Sequence, residues 1–249
     1  MYKRQALNIV DGSIKWRVEK LDDSNKGCAV AVDKMGNIYA GTNAAIYSFT
    51  SSGNERWNGK NIAFKITERG AFALHGDCLY ATTLDKGLIS VNMTTGEKNW
   101  DYKNTGGNAY FPIVDKNGVI YFTEKGVSGK ALVYAVEPTG SLKWSKDIAS
   151  VLTYNGAALS AEGLLFLGNS GGKKVWKLDT NDNGELTEVR NIGQNIMAGV
   201  TIGTDKRLYF GTIGSNNIGS IKAVAINASP ELSSWSMRGG DLQGTNRQK

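Results

Sequence analysis

The chain has 249 residues, with 31 glycines, three prolines and a net charge of +6. Lys3 and Arg4 at one end, and Arg238, Arg247 and Lys249 against Asp241 at the other, carry most of that excess, so the body has no basic stripe for tracking phosphates and nucleic acid is excluded as a partner. One histidine and two cysteines exclude a multi-histidine metal centre and a disulfide framework, and no apolar run is long enough to insert in a membrane as a helix.

In chain order, residues 1–5 read as a non-native or truncated start, 6–238 as a single all-β domain and 239–249 as a tail. "QALNIVDGSIKWRVE" supplies only the third and fourth strands of a unit, which predicts a chain lacking an N-terminal portion. "AVDKMGNIYAGTNAAIYSFTSSGNERW" is the next unit. In the one after it, "GAFAL", "CLYATT", "GLISVN" and "KNWDYK" read as four strands joined by "HGD", "LDK" and "TTGE", short apolar and aromatic runs bounded by turn residues. The pattern returns at "VIYFTE" with "TGSLKW", at "LLFLGN" with "KKVWKL", and at "RLYFGT" with "NASPELSSW".

Two ladders keep one period. Trp16, Trp57, Trp100 and Trp144 are spaced by 41, 43 and 44 residues, and Tyr39, Tyr80, Tyr121, Phe166 and Tyr209 by 41, 41, 45 and 43. A four-stranded unit repeated at this period, with no amphipathic helical stretch, is a β-propeller blade; the expectation is five complete blades plus a half blade at the N-terminus. Each of these tryptophans follows a turn glycine by four residues and lies on the outer strand, where it covers the groove between blades. Burying one indole there contributes roughly 2–3 kcal/mol. The fifth unit departs from the pattern, with Val189 on the outer strand. The last has no Thr-Gly pair, yet Trp235 keeps the register and completes the inter-blade set Trp16, Trp57, Trp100, Trp144 and Trp235.

These residues carry a resemblance to pyrroloquinoline-quinone-like propeller repeats, whose pattern is a D-G-x-[IV]-Y-x-G strand, an L-Y-A-L-[DN] strand and T-G-x-x-x-W. It extends from Ala6 to Trp235. "SSWSMRGGDLQGTNR" is similar to a terminal W-P-M-F-R-x-D-x-Q-x-T-G-R segment of such bacterial proteins, with Ser236 for the proline and Asn246 for the final glycine. The resemblance implies a periplasmic, cell-envelope or secreted location. It also raises a quinone-dependent dehydrogenase, in which the propeller holds a quinone and calcium over an aspartate base. The adjacent cysteine pair that many of those enzymes carry is absent, and no base or quinone cluster falls at a matching position.

Other candidate chemistry is sparse. "GNSGG" formally matches G-x-S-x-G at Ser170, but it joins two strands and is a hairpin turn, whereas a nucleophile elbow leads into a helix. His75 falls in the turn of "ALHGDCLY". Cys28 and Cys78 read as free thiols. Asp179, Asn181 and Asn183, followed by Gly184, match the front half of a calcium loop, with Arg190 where the bidentate glutamate belongs; calcium there is weak and structural at most, and no other cofactor is expected. The reading is a non-enzymatic scaffold for protein partners, similar to the outer-membrane assembly propeller. The alternatives are a fragment of a quinone-dependent dehydrogenase and a carbohydrate- or ligand-binding module.

Overall fold

The computed structural model describes residues 4–18, 29–42, 45–57, 71–83, 87–103, 105–125, 131–148, 156–169, 171–234 and 236. Every regular element among them is a β-strand. β1 (Arg4–Leu7) and β2 (Ile14–Val18) form a two-stranded sheet, and β3 (Val30–Val32), β4 (Ile38–Gly41) and β5 (Ile46–Phe49) a three-stranded one. Three antiparallel four-stranded sheets follow in simple meander order. The first is β6 (Phe72–His75), β7 (Cys78–Thr83), β8 (Gly87–Asn92) and β9 (Lys98–Tyr102). The second is β10 (Asn108–Val114), β11 (Ile120–Lys125), β12 (Ala131–Val136) and β13 (Leu142–Asp147). The third is β14 (Ala158–Leu159), β15 (Leu164–Asn169), β16 (Lys174–Asp179) and β17 (Glu185–Asn191). In the last sheet, β18 (Asn195–Ile196) and β19 (Thr201–Ile202) are two pieces of one interrupted strand. Both pair with β20 (Arg207–Ile213), which also pairs with β21 (Gly219–Ala225).

The fold is an all-β propeller whose core lies between sheets. One apolar cluster joins Tyr39, Phe72, Leu88 and Phe122 from three successive sheets; a second joins Tyr121 and Trp144 to Leu165 and Leu178; a third joins Phe166 to Ile196, Leu208 and Phe210. A middle strand is covered on both faces, so β7 and β8 are buried almost throughout and read as continuous apolar runs. An outer strand is covered on one face, so β9 and β13 alternate polar residues with an inward tryptophan.

The blades depart from regularity in three places. Among the described residues the second sheet has a single bridge, Phe49 to Glu55, where a fourth strand was expected. β10 bulges between Tyr110 and Ile113, and buried Phe111 there takes φ +43°, a backbone conformation rare for a bulky residue. Most consequential, "NASPELSSW" does not add a fourth strand to β21 among the described residues. Its segment crosses to the first strand of the preceding blade: Ala161 N donates to Ser229 O (2.9 Å), Glu231 N to Leu159 O (3.3 Å) and Leu159 N to Ser236 O (2.8 Å), with Pro230 bridging Ser160. β14 is short and its inner edge open, so the segment satisfies backbone groups there.

Candidate functional site

The repeated tryptophans meet the next blade at its turn glycine. A β-carbon placed on Gly53 would lie 2.7 Å from the Trp16 ring, one on Gly96 2.7 Å from Trp57, one on Gly140 2.8 Å from Trp100 and one on Gly184 2.8 Å from Trp144. The four glycines have φ between +71° and +91°. Glycine is thus needed twice, once for the turn and once because the indole of the preceding blade lies on its face.

The indole nitrogens add polar anchors. Trp16 Nε1 donates to Ser51 O (2.9 Å), Trp57 Nε1 to Met93 O (3.3 Å) and Trp100 Nε1 to Pro138 O (2.9 Å). Trp144 Nε1 is buried without an acceptor; it faces the longest of these turns, "TNDNG". The fifth unit has Val189 in place of the ring, and the sixth turns at Asn227 (φ +53°) with no glycine to receive one, so both halves of that contact are missing together. Gly12, with φ +71°, has nothing within 4 Å of its β-carbon position.

The turns between first and second strands carry a second motif. Asp33 Oδ1 accepts the amides of Met35 and Asn37, and its Oδ2 accepts the Tyr39 hydroxyl at 3.0 Å; Asp115 does the same for Asn117, Val119 and Tyr121. Asp205 accepts the Tyr209 hydroxyl at 2.5 Å. The Arg56 guanidinium donates to the Tyr39 oxygen at 3.0 Å. Burial pushes the Tyr39 phenol up to about 12, with Asp33 adding to the rise and Arg56 opposing it. Tyr121 is raised by burial and then by Asp115, and Tyr80 by burial and then by the Cys78 thiol.

At the opposite end of each second strand, three residues after the marker aromatic, stands a buried polar residue: Thr42, Thr83, Glu124, Asn169 and Thr212. Sequence reading missed this column, although its fixed offset was visible. Glu124 is the charged member. Its carboxylate accepts Thr105 Oγ1 (2.7 Å), Gly107 N (2.6 Å) and Tyr134 OH (2.5 Å), which ties the connection entering β10 to the middle of its own blade. Thr212 makes the equivalent tie to Gln194 at 3.0 Å.

A polar cavity of about 200 Å³ lies between the fourth and fifth blades, lined by Asp115, Ser160, Glu162, Thr180, Asn181 and Glu231. Its carboxylates already have partners within the chain, Glu162 accepting Ser229 N at 3.1 Å and Glu231 accepting Ser233 N at 2.7 Å.

Of the calcium-like residues, only Asn181 reaches this cavity. Asp179 Oδ1 accepts the Asn181 amide (2.9 Å), Asn181 Nδ2 donates to Glu162 O (3.1 Å), and Asn183 supplies the bend at φ +45° before Gly184. Two of the three side chains therefore have partners, Asp179 within the turn and Asn181 on the neighbouring β14–β15 turn. Among the described residues no group of three or more His, Cys, Asp or Glu side chains is placed to hold a metal. His75, half-buried at the end of β6, comes close to the Gly118 turn of the next blade. Cys78 is a free thiol accepting from Asn99 Nδ2 at 3.6 Å. Cys28, Ser170 and Trp235 lie outside the described residues.

A family model described as outer membrane protein assembly factor BamB matches residues 3–150. No curated protein matches the chain. Among solved structures, BamB from Moraxella catarrhalis aligns with a TM-score of 0.60 and 15% identity over 90% of this chain and 67% of its own. Virginiamycin B lyase from Staphylococcus aureus aligns at 0.60 and 16% over 85% and 74%, respectively. A chain of the nidogen/laminin complex aligns at 0.54 and 19% over 90% and 85%. At these identities the likeness is one of fold.

Proposed function

The chain belongs to the pyrroloquinoline-quinone-like repeat family described as outer membrane protein assembly factor BamB, and from that membership we propose that it is a non-enzymatic propeller scaffold that binds protein partners in a bacterial cell envelope. The observation that carries the reading is the placement of the repeated side chains. Four tryptophans pack on glycines of the next blade, the turn aspartates hold tyrosines and backbone amides, and the buried polar column ties connections. A repeat whose recurring side chains serve packing leaves its outer surface free for recognition. The absence from the sequence of the adjacent cysteine pair that many quinone-dependent dehydrogenases carry also supports the non-enzymatic reading.

The test is addition of pyrroloquinoline quinone and calcium to the purified protein with an alcohol and a redox dye. No cofactor absorbance and no dye reduction are expected; turnover with a bound-quinone spectrum would overturn the non-enzymatic reading. The polar cavity supports a second reading, a site for a hydroxylated ligand such as a sugar. A glycan array addresses it, with loss of the signal in Asn181→Ala as the mark of that cavity.

A further inference from the structure

We propose that the outer edge of β21, which no other described strand pairs with, is a docking site for an extended strand of a protein partner, one that carries an aromatic residue followed by an acidic residue and then a second apolar one. The inference rests on the scaffold reading and names where and how such a partner is held.

Register supplies the argument. In the third blade Tyr80 pairs with Ser90, which pairs with Trp100 on the outer strand; in the fourth, Tyr121 pairs with Ala135, which pairs with Trp144. The residue opposite the tryptophan is small in both. In the fifth blade, which has no such tryptophan, the same place is Lys177, opposite Phe166 and Thr187. In the last sheet Tyr209 pairs with Ala223, so β21 has the small residue of a strand that faces a tryptophan. Among the described residues β21 pairs only with β20, and it leaves Ala223 exposed and Ile221 82% exposed.

The neighbouring positions define the rest of the occupant. Carrying the β8–β9 register onto β21 sets Trp100's place opposite Ala223, Asp101's opposite Lys222 and Tyr102's opposite Ile221. A carboxylate at the middle position is charge-complementary to Lys222, and the two flanking apolar side chains fall on the exposed face of Ala223 and Ile221. The chain's own final segment is a poor occupant. Its described residues pair with β14, and Ser236, which follows Trp235, brings no charge to Lys222. Edge-to-edge pairing of two copies centred on β21 would set Lys222 against Lys222, an arrangement that edge strands use to prevent self-association.

The experiment uses the full chain and a fluorescein-labelled peptide with the sequence of residues 95–103, TTGEKNWDYK without its first threonine, read by anisotropy. Saturable binding is expected, weakened at least about tenfold when the peptide tryptophan is replaced by alanine or its aspartate by lysine, as for loss of one cross-strand anchor. The protein variant Ala223→Lys copies the residue that the fifth blade tolerates, so it should weaken binding at least about tenfold with an unchanged melting temperature. Equal affinity for a scrambled peptide, or an unaltered affinity in Ala223→Lys, overturns the proposal. So does slow hydrogen exchange along the outer edge of β21 in the free protein, because the chain would then cover that edge itself. A dimer abolished by Ala223→Lys would assign the edge to a second copy and overturn it too. A protein partner whose binding ignores Ala223→Lys would leave the scaffold reading standing and remove β21 from it.

Discussion

Gly140→Ala separates the two demands placed on a turn glycine. Gly140 has φ +91°, and a β-carbon on it would lie 2.8 Å from Trp100 Cδ2 and 2.9 Å from Cγ. An alanine held in the left-handed region costs about 1–2 kcal/mol, and an extra carbon forced against a packed ring about 1–3 kcal/mol more, so the substitution should cost about 2–5 kcal/mol in all. Gly12 isolates the first cost. It has φ +71° and nothing within 4 Å of its β-carbon position, so Gly12→Ala should cost only about 1–2 kcal/mol. Trp100→Ala removes the ring, and Gly140→Ala in that background should fall to the backbone cost alone. The double-mutant cycle should therefore show a coupling of about 1–3 kcal/mol. Urea denaturation followed by far-ultraviolet circular dichroism gives each value. Equal losses at Gly12 and Gly140, or a cycle without coupling, would refute the idea that the glycine is the landing surface of the preceding blade's indole.

Further outcomes follow from the turns. The Tyr39 phenol, raised by burial to about 12, is neutral in the folded state over a range where an unfolded tyrosine ionises near 10. Its contribution to stability is therefore complete below pH 10 and is lost as pH rises from there through about 12. A 295 nm titration should show a late-ionising phenol that disappears in Tyr39→Phe, and an unchanged curve in that variant would contradict the assignment. For the Asp179 turn, calcium should leave the melting temperature unchanged, because its carboxylate already accepts the Asn181 N–H and the Asn181 side chain is engaged by Glu162 O of the β14–β15 turn. A submillimolar calcium titration curve lost in Asp179→Ala would establish a site.

The repeat was legible in the sequence because the blade imposes the same burial on the same position each time. Trp100 and Trp144 sit on strands exposed on one face, so each stands out from polar neighbours, and Tyr39, Tyr121 and Tyr209 recur because turn aspartates hold their hydroxyls. What the sequence concealed were relations between units. A turn glycine in "TTGEKNW" looks complete as a hairpin residue, and its second role, receiving Trp57, exists only once the preceding blade is packed against it. The joint absence of the ring at Val189 and of the glycine near Asn227 was visible, but it had no meaning without that contact. The path of residues 229–236 was not readable at all. Two edges, β14 and β21, present the same kind of backbone groups to an extended segment, and the choice of β14 depends on tertiary placement that no local pattern encodes.

The first sheet joins these threads, because among the described residues two side chains of β2, Trp16 and Val18, fasten it to the second blade. β1 and β2 pair only with each other among the described residues, and Leu7, Ile9, Val10 and Ile14 are 51%, 97%, 88% and 47% exposed. A two-stranded sheet with that much apolar surface in water has little stability of its own. Its attachment to the second blade centres on Trp16, whose ring lies on Gly53 and 6.4 Å from Phe49 while its nitrogen donates to Ser51 O at 2.9 Å, with Val18 packed beside it on the cluster of Ala40, Tyr47 and Phe49. Amides in Gln5–Leu7 and Ile14–Val18 should then exchange through local opening, well before those of β7 and β8, which are enclosed by sheets on both faces. Trp16→Ala should speed exchange in β1 and β2 further without altering β7 or β8. Equal protection of the two regions in the parent protein would mean that something beyond Trp16 and Val18 covers the hairpin, and that the apolar face of Leu7 and Ile14 is an interface in solution.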